Sequence, residues 1–281
     1  KGQTVADYIA RTALLLEAIT ETPRLEAELL LSYALGVSRA VLLARLHDTV
    51  DTSHMEPLLE RRLNHEPLAY IFGEWEFFGL PFFVKAPLLV PRPETEHLVE
   101  VALKFLARNK GPAKIADLCC GTGCVGIAIV HNSTGLTLYA SDIRSDAVKT
   151  TQENAARHRT PVNCVQGDLF APLDSLCRHF DVVVSNPPYV PDDEWAELSP
   201  VITKHEDPGA LLAGKDGLDV IRRIIPAAYE RLRTGGLLAL ELGESQYQTV
   251  AALMEAVGFN NVTATRDLAG IARIIAGIRS I

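Results

Sequence analysis

The spacing of apolar positions divides the chain into three stretches. Over residues 1–72 apolar side chains recur at helical spacing in VADYIARTALLLEAI, LEAELLLSYAL, AVLLARL and MEPLLERRL, which predicts a small helical bundle. The second of these helices has Thr22 as N-cap, Pro23 at its first position and Gly36 just past its end. Over residues 73–90 the pattern changes to GEWEFFGLPFFVKAPLLV, aromatic and β-branched residues around a turn at residues 79–81, which predicts a β-hairpin. Helical spacing resumes at Pro93 in PETEHLVEVALKFLAR and is broken by Gly111 and Pro112.

From Lys114 onward short β runs alternate with helical stretches. KIADL, LTLYAS, VNCVQ, DVVVS and GLLALEL read as strands, while CVGIAIVHN, SDAVKTTQENAARH, GLDVIRRIIPAAYERL and SQYQTVAALMEAV read as helices. Such alternation predicts a parallel sheet covered by helices on both faces. The last two strands, NNVTATRD and ARIIAGI, are separated by a few loop residues and should form an antiparallel hairpin at one edge. The expected organisation is a helical domain over 1–73, a β-hairpin linker over 74–90 and a Rossmann-like α/β domain over 91–281. No internal repeat or low-complexity tract interrupts it.

A chain of 281 residues with 48% hydrophobic content suffices for a full α/β domain and a smaller companion. It has no apolar run long enough to cross a bilayer, and its first thirty residues lack a basic, apolar and small-residue signal pattern. A soluble cytoplasmic monomer is the expectation; Lys1 in place of Met leaves room for a few residues upstream. The formal net charge of −8 and the lack of any long Lys/Arg block argue against a nucleic-acid footprint. Five cysteines show neither paired zinc spacing nor an even disulfide count, so reduced thiols and no metal are expected.

In sheets of this kind ligands bind beyond the carboxyl ends of the strands, where strand order reverses. The first strand ends in Asp117 and Leu118 and runs through Cys119, Cys120, Gly121, Thr122 and Gly123 into a helix. Gly121 and Gly123 permit a sharp turn and a close approach to a ligand. A purely structural turn explains the two glycines equally well. The second strand, however, ends at Asp142, about twenty residues on, where a carboxylate can accept from both ribose hydroxyls. The third is followed by Gly167, Asp168 and Leu169, where an acid can meet an adenine amino group. Three acid-ended strands in register with a glycine loop indicate nucleoside binding. The loop lacks the Lys-Ser/Thr ending of a phosphate-binding loop and the usual third glycine, so pyrophosphate is disfavoured. S-adenosyl-L-methionine carries adenine, ribose and a sulfonium without phosphate, and suits two acids and a short loop.

The fourth strand, DVVVS, ends in Asn186, Pro187, Pro188 and Tyr189. Each proline holds the preceding residue extended, so this exit is stiff. Beside a methyl donor, the Asn186 side-chain oxygen and the Pro187 carbonyl can each accept one hydrogen from a planar NH₂ group. The nitrogen lone pair then aims at the methyl carbon, which is catalysis by positioning and preorganised dipoles. Tyr189 can stack on the flat acceptor.

Together with HEPLAYIFGEWEFFGLPF, VPRPETEHLVE and GKDGLDVIRRII, the motifs DLCCGTG, YASD, GDL and NPPY resemble the HemK/PrmC family of protein-glutamine methyltransferases. The resemblance spans nearly the whole chain. It implies a class I S-adenosylmethionine-dependent methyltransferase acting on the glutamine side-chain amide in the GGQ motif of peptide-chain release factors. In that family the glycine loop and the acids after the second and third strands hold the cofactor, and the N-P-P-Y loop holds the glutamine amide. These roles carry over to Asp117, the loop from Cys119 to Gly123, Asp142, Asp168 with Leu169, and Asn186 to Tyr189, with Asn186 also touching the cofactor. One departure is Cys119, where the family's loop begins with glycine. The competing readings are a ribosomal-protein glutamine methyltransferase, an adenine-specific DNA or RNA methyltransferase, and a non-enzymatic cofactor-binding module. A nucleic-acid enzyme would need a basic surface or a recognition insert. The non-enzymatic reading leaves the N-P-P-Y loop without a purpose.

The helical domain is expected to dock the protein substrate. Arg92, Glu94 and Glu96 belong either to an access loop or to an acidic helix start, and Glu241 either nears the site or caps the next helix. The eight histidines are scattered and read as surface or core residues.

Overall fold

A computed structural model describes residues 3–109 and 111–280. They form two compact units. The smaller comprises the chain up to Gly73 together with Ser199–His205, and the larger comprises Glu74–Leu198 and the chain from Glu206 onward.

The smaller unit contains β1 (Gln3–Thr4), α1 (Val5–Leu16), α2 (Pro23–Leu35), α3 (Arg39–Leu43), β2 (Thr49–Val50), α4 (Glu56–Leu63) and α5 (Leu68–Phe72). Its core gathers Val5, Tyr8, Ile9, Ala27, Leu31, Leu42 and Met55, the apolar stripe that the helical spacing requires. Helix α1 starts at a capping box, in which the Thr4 hydroxyl accepts from the Asp7 N–H at 3.1 Å. Thr22 does occupy the N-cap position of α2, but its side chain makes no capping bond, and its own N–H donates to Thr20 Oγ1 at 3.2 Å. The β1/β2 pair went unread because two residues are too short to display a period of two.

The larger unit opens with an antiparallel hairpin, β3 (Glu74–Phe77) and β4 (Leu80–Phe83). The turn lies on Phe78 and Gly79, at φ of 53° and 72°, and not at residues 79–81. Two-residue hairpin turns of this twist need positive φ at both positions, and Pro81 sits within β4 opposite Glu76. Residues 74–90 were expected as a linker. Instead Phe77 and Phe82 are fully buried in the core of the larger unit, to which α6 (Glu96–Arg108) also contributes.

The remaining elements are β5 (Ala113–Leu118), α7 (Cys124–His131), β6 (Leu136–Asp142), α8 (Ser145–Arg157), β7 (Val162–Gln166), β8 (Phe180–Ser185), α9 (Pro200–Thr203, in the smaller unit), α10 (Asp219–Arg231), β9 (Leu232–Glu241), α11 (Tyr247–Val257), β10 (Phe259–Arg266) and β11 (Ala272–Arg279). The seven-stranded sheet has the order β10-β11-β9-β8-β5-β6-β7. Its strands β7, β6, β5, β8 and β9 are parallel, and β11 runs antiparallel to both neighbours. The expected final hairpin is present, with β11 inserted between β9 and the edge strand β10. One face is covered by α6 and α7, the other by α10 and α11, as for a doubly wound sheet. Strand β5 has β6 on one side and β8 on the other, so the order reverses at its carboxyl end and opens a crevice there. Among the described residues, no helix is long and apolar enough to cross a membrane.

Candidate active site

The glycine loop leaves β5 through Cys119, which adopts φ of 56°. This is the left-handed conformation that glycine takes freely and that costs another residue about 1–2 kcal/mol. The departure at Cys119 thus changes the side chain while the glycine-type backbone is kept. Cys120 N–H donates to the Ser141 carbonyl at 3.1 Å, and Gly121 N–H donates to Asp142 Oδ2 at 2.9 Å, which ties the loop to the end of β6. A Cβ on Gly123 would lie 2.8 Å from Thr151 Cγ2, so α8 leaves no room for one. The Asn154 side chain on α8 accepts from Phe83 N–H at 2.7 Å and donates to the Phe83 and Thr122 carbonyls. The hairpin and the glycine loop are thereby held by one amide.

Asp117 lies under the loop, almost fully buried, with its Oδ2 accepting from Gly126 N–H at 2.9 Å. Burial pushes its carboxyl up to about 7, and the charge of Asp142 adds to the shift. Asp142 is half-buried, and its two oxygens accept from Gly121 N–H and Arg144 N–H. Burial raises its pKa despite these bonds. The thiols of Cys119 and Cys124 are pushed up to about 12 by burial, and Cys120 rises beside Cys164, so these thiols are neutral. Asp168 is exposed and ion-paired with Arg223, and Leu169 follows at φ of 50° with its carbonyl accepting from Ser141 Oγ at 2.7 Å.

The end of β8 is fixed to β5 by Ser185 Oγ donating to the Leu118 carbonyl at 2.7 Å. Asn186 follows, its Nδ2 donating to Thr95 Oγ1 at 3.3 Å. The Tyr189 hydroxyl donates to Glu241 Oε1 at 3.0 Å, and its carbonyl accepts from Gln246 Nε2 at 2.7 Å. A cavity of about 240 Å³ brings together the loop from Cys119 to Thr122 with Asp117, Asp142, Asp168, Leu169, Asn186 and Pro188. A pocket of about 30 Å³ shares Asn186 and Leu89 with it and is lined also by Pro187, Tyr189, Arg92 and Glu241. Gly123 is the one expected residue that lines neither. Its part is to turn the chain into α7, with its N–H donating to the Cys120 carbonyl at 2.7 Å.

The chain matches the family model for the PrmC N-terminal domain over residues 7–73 and that for the methyltransferase small domain over residues 97–199. It is 40% identical over 268 residues to a release factor glutamine methyltransferase of Coxiella burnetii, which covers 94% of this chain and 95% of the relative. The release factor glutamine methyltransferase of Geobacter sulfurreducens is 38% identical over 266 residues, covering 94% of this chain and 92% of the relative. The chain belongs to the release factor glutamine methyltransferase family. A solved methyltransferase structure from Pyrococcus furiosus shares the fold at a TM-score of 0.54 and 17% identity, covering 73% of this chain and 91% of that one. The larger unit of this release factor glutamine methyltransferase family member is a class I methyltransferase fold, a mostly parallel seven-stranded sheet with an antiparallel edge.

In this family member the large cavity fits S-adenosylmethionine on the chemistry of its walls. Arg144 is paired with Asp146 and Asp207, and Arg223 with Asp168, so that among the described residues neither Asp117 nor Asp142 forms an ion pair. Such a site favours a cation over a phosphate. Ile143, an apolar side chain 70% exposed directly after Asp142, and Leu169 offer flat apolar surface to a base beside the acids that would meet its ribose and amino group. Ile143, Leu88, Leu89 and Thr95 were not anticipated. Ile143 had a signal, a lone apolar residue between charged ones in SDIRSD; Thr95 and the two leucines had none, being brought in by the chain ahead of α6. Glu241 stands at the N-P-P-Y loop, and Arg92 lines the small pocket with its guanidinium on both oxygens of Glu206 at 2.7 and 2.8 Å. Glu96 does not face the site; it accepts from Phe78 N–H at 2.8 Å and braces the hairpin turn.

Proposed function

We propose that this chain methylates the side-chain amide nitrogen of a glutamine in a peptide-chain release factor, with S-adenosylmethionine as methyl donor. The observation that carries the reading is the placement of Asn186 on the wall shared by the cofactor-sized cavity and the small pocket formed with Pro187 and Tyr189. When bound, the cofactor supplies an electrophilic methyl group on a cationic sulfur. Asp142 would hold its ribose hydroxyls, Asp168 and Leu169 would meet its base, and the backbone from Cys119 to Gly123 with Asp117 below would let it approach the sheet. Asn186 Oδ1 and the Pro187 carbonyl would each accept a hydrogen bond from one N–H of the glutamine NH₂, which fixes the plane of the amide and directs the nitrogen lone pair. Pro188 stiffens the loop, and the Tyr189 ring packs on the amide plane. The glutamine nitrogen would exchange one of its protons for the methyl group that the cofactor would supply, and no residue of the loop needs to act as a strong base. Positioning of this kind is where most of the barrier lowering would come from.

The smaller unit, over 1–73, is read as the surface that docks the protein substrate, because one glutamine side chain offers too few contacts to select a protein. Leu14, Leu15, Leu25, Tyr33 and Val41 are all exposed on it. A cytoplasmic enzyme that binds a protein and no nucleic acid fits the net charge of −8. The test is incubation with labelled S-adenosylmethionine and, separately, release factor, ribosomal proteins and DNA. Label on the release factor glutamine is expected. Label only on a ribosomal protein or on DNA would overturn the substrate assignment.

A further inference from the structure

A primary amide carries two hydrogens and one oxygen, and a pocket that fixes it must answer all three. In the functional reading above, Asn186 Oδ1 and the Pro187 carbonyl accept from the two N–H groups of the glutamine. Its carbonyl oxygen still needs a donor, because an acceptor taken out of water without one weakens binding. Three side chains that line the small pocket carry an N–H or O–H: Asn186, Tyr189 and Arg92. The first two are already engaged. Asn186 Nδ2 donates to Thr95 Oγ1 at 3.3 Å, and the Tyr189 hydroxyl donates to Glu241 Oε1 at 3.0 Å. Arg92 keeps donors in reserve. Its Nη2 alone donates to both oxygens of Glu206, at 2.7 and 2.8 Å, whereas the side-on pairing of guanidinium and carboxylate takes two nitrogens. Among the described residues, Arg92 Nε and Nη1 donate to nothing. The Glu206 side chain is 0% exposed and that of Arg92 31%, so the pair is fixed at its buried end while the guanidinium stays accessible. Pro93 holds Arg92 extended at φ of −99° and ψ of 145°, and the chain that follows Glu206 brings Ala210 and Leu211 to the same pocket.

We propose that Arg92 binds the substrate in the methyl transfer: Nε or Nη1 donates to the side-chain carbonyl oxygen of the acceptor glutamine while Nη2 stays on Glu206. This deepens the functional reading above and rests on it. Held at both hydrogens and at the oxygen, the amide cannot turn in its own plane. Its oxygen, the more nucleophilic atom of an amide, is kept away from the methyl group, and its nitrogen is left to react. A guanidinium suits this task because its donors lie in one rigid plane and it stays charged. A carboxylate in place of the amide would also meet Arg92, but it has no hydrogens for Asn186 Oδ1 and the Pro187 carbonyl. The two sides of the pocket together therefore select an amide.

The test compares the parent chain with Arg92→Lys and with the paired change Arg92→Met and Glu206→Gln, which leaves no buried charge without a partner. Calorimetry in the presence of S-adenosylhomocysteine gives the affinity of each for release factor and for a release factor whose acceptor glutamine is replaced by Met. Cofactor affinity, kcat and Tm are measured alongside. The parent should prefer the glutamine form, and the paired variant should lose at least about tenfold of that preference, as for one charged hydrogen bond, with cofactor affinity held. Arg92→Lys keeps one nitrogen for Glu206 and gives up the other two, so it should hold Tm and lose most of the preference. A second readout uses the parent chain itself: with labelled arginine, the Arg92 guanidinium signals, assigned with either variant, should shift on adding a short glutamine peptide. The same peptide with Met in place of glutamine should leave them where they are. A preference within about twofold of the parent in both variants would overturn the proposal and leave Arg92 as a structural partner of Glu206. Equal losses of affinity for the two release factor forms would overturn it as well, because the contact would then lie outside the glutamine. A parent chain that methylates no glutamine overturns the functional reading, and the assignment of Arg92 falls with it.

Discussion

Burial raises the carboxyl of Asp117 strongly, and the consequence is a pH-dependent stability. Its native pKa of about 7 lies above the ordinary carboxylate range. The folded state therefore binds a proton that the unfolded state has released, and the stability contributed by this site falls as pH rises from about 4 to about 7. Asp117→Asn keeps an oxygen for Gly126 N–H and removes the charge. It should exceed the parent in stability by up to about 4 kcal/mol at pH 8, from roughly three pKa units, and by much less at pH 5. Denaturant melts at the two pH values test this, and a gap independent of pH would refute it. Asn186→Ala should reduce turnover about 10²–10³-fold, as for removal of one preorganised hydrogen-bonding group, while calorimetry shows a far smaller change in cofactor affinity. Near-normal turnover would make Asn186 a turn residue only. These residues were legible because each sits at a strand end within a short motif. Thr95 and Ile143 were not, since their place depends on how the chain ahead of α6 and the loop after β6 fold over the crevice. Glu241 could be narrowed to two roles and no further, because its partner Tyr189 lies more than fifty positions away.

At the scale of elements, the strand and helix periods were readable wherever a segment was long enough to show them. The parallel sheet with its crossover helices followed from that alternation, as did the antiparallel final hairpin. The hairpin turn was misplaced by one residue because Pro81 was read as a turn former, whereas the positive φ of Phe78 and Gly79 set the register. The insertion of β11 between β9 and β10 is a matter of pairing across the sheet, which no local period encodes. In the smaller unit, α4 is joined to α2 by Arg62, whose Nε and Nη2 donate to Glu26 at 2.6 and 3.1 Å. The Arg62 side chain is 4% exposed. Arg62→Ala would strand the Glu26 carboxylate in a largely dry setting and should cost about 3–5 kcal/mol. Chemical denaturation followed by a probe in the smaller unit measures it, and a loss below about 1 kcal/mol would mean the pair behaves as a surface ion pair.

At the scale of the whole molecule, the proposed division of labour predicts that substrate length decides which mutations matter. Leu14→Asp with Leu15→Asp alters two side chains that are 67% and 47% exposed, so the fold should tolerate both. Release factor kcat/KM should fall at least about tenfold, as for loss of an apolar anchor in a docking surface. A short glutamine peptide should be methylated as before. Equal rates on intact release factor would show that α1 takes no part in docking. The smaller unit also has a history written into its connectivity, because Ser199–His205 belongs to it and includes the His205 ring contact with the Asn64 carbonyl at 3.1 Å. During synthesis the first part of this unit leaves the ribosome long before the last. At about 5–20 residues per second, the stretch between Gly73 and Ser199 takes roughly 6–25 s to make, and it includes β8 and the N-P-P-Y loop. The nascent helical unit must wait through that interval unfinished, and it is completed only once the loop proposed to hold the glutamine has already been made.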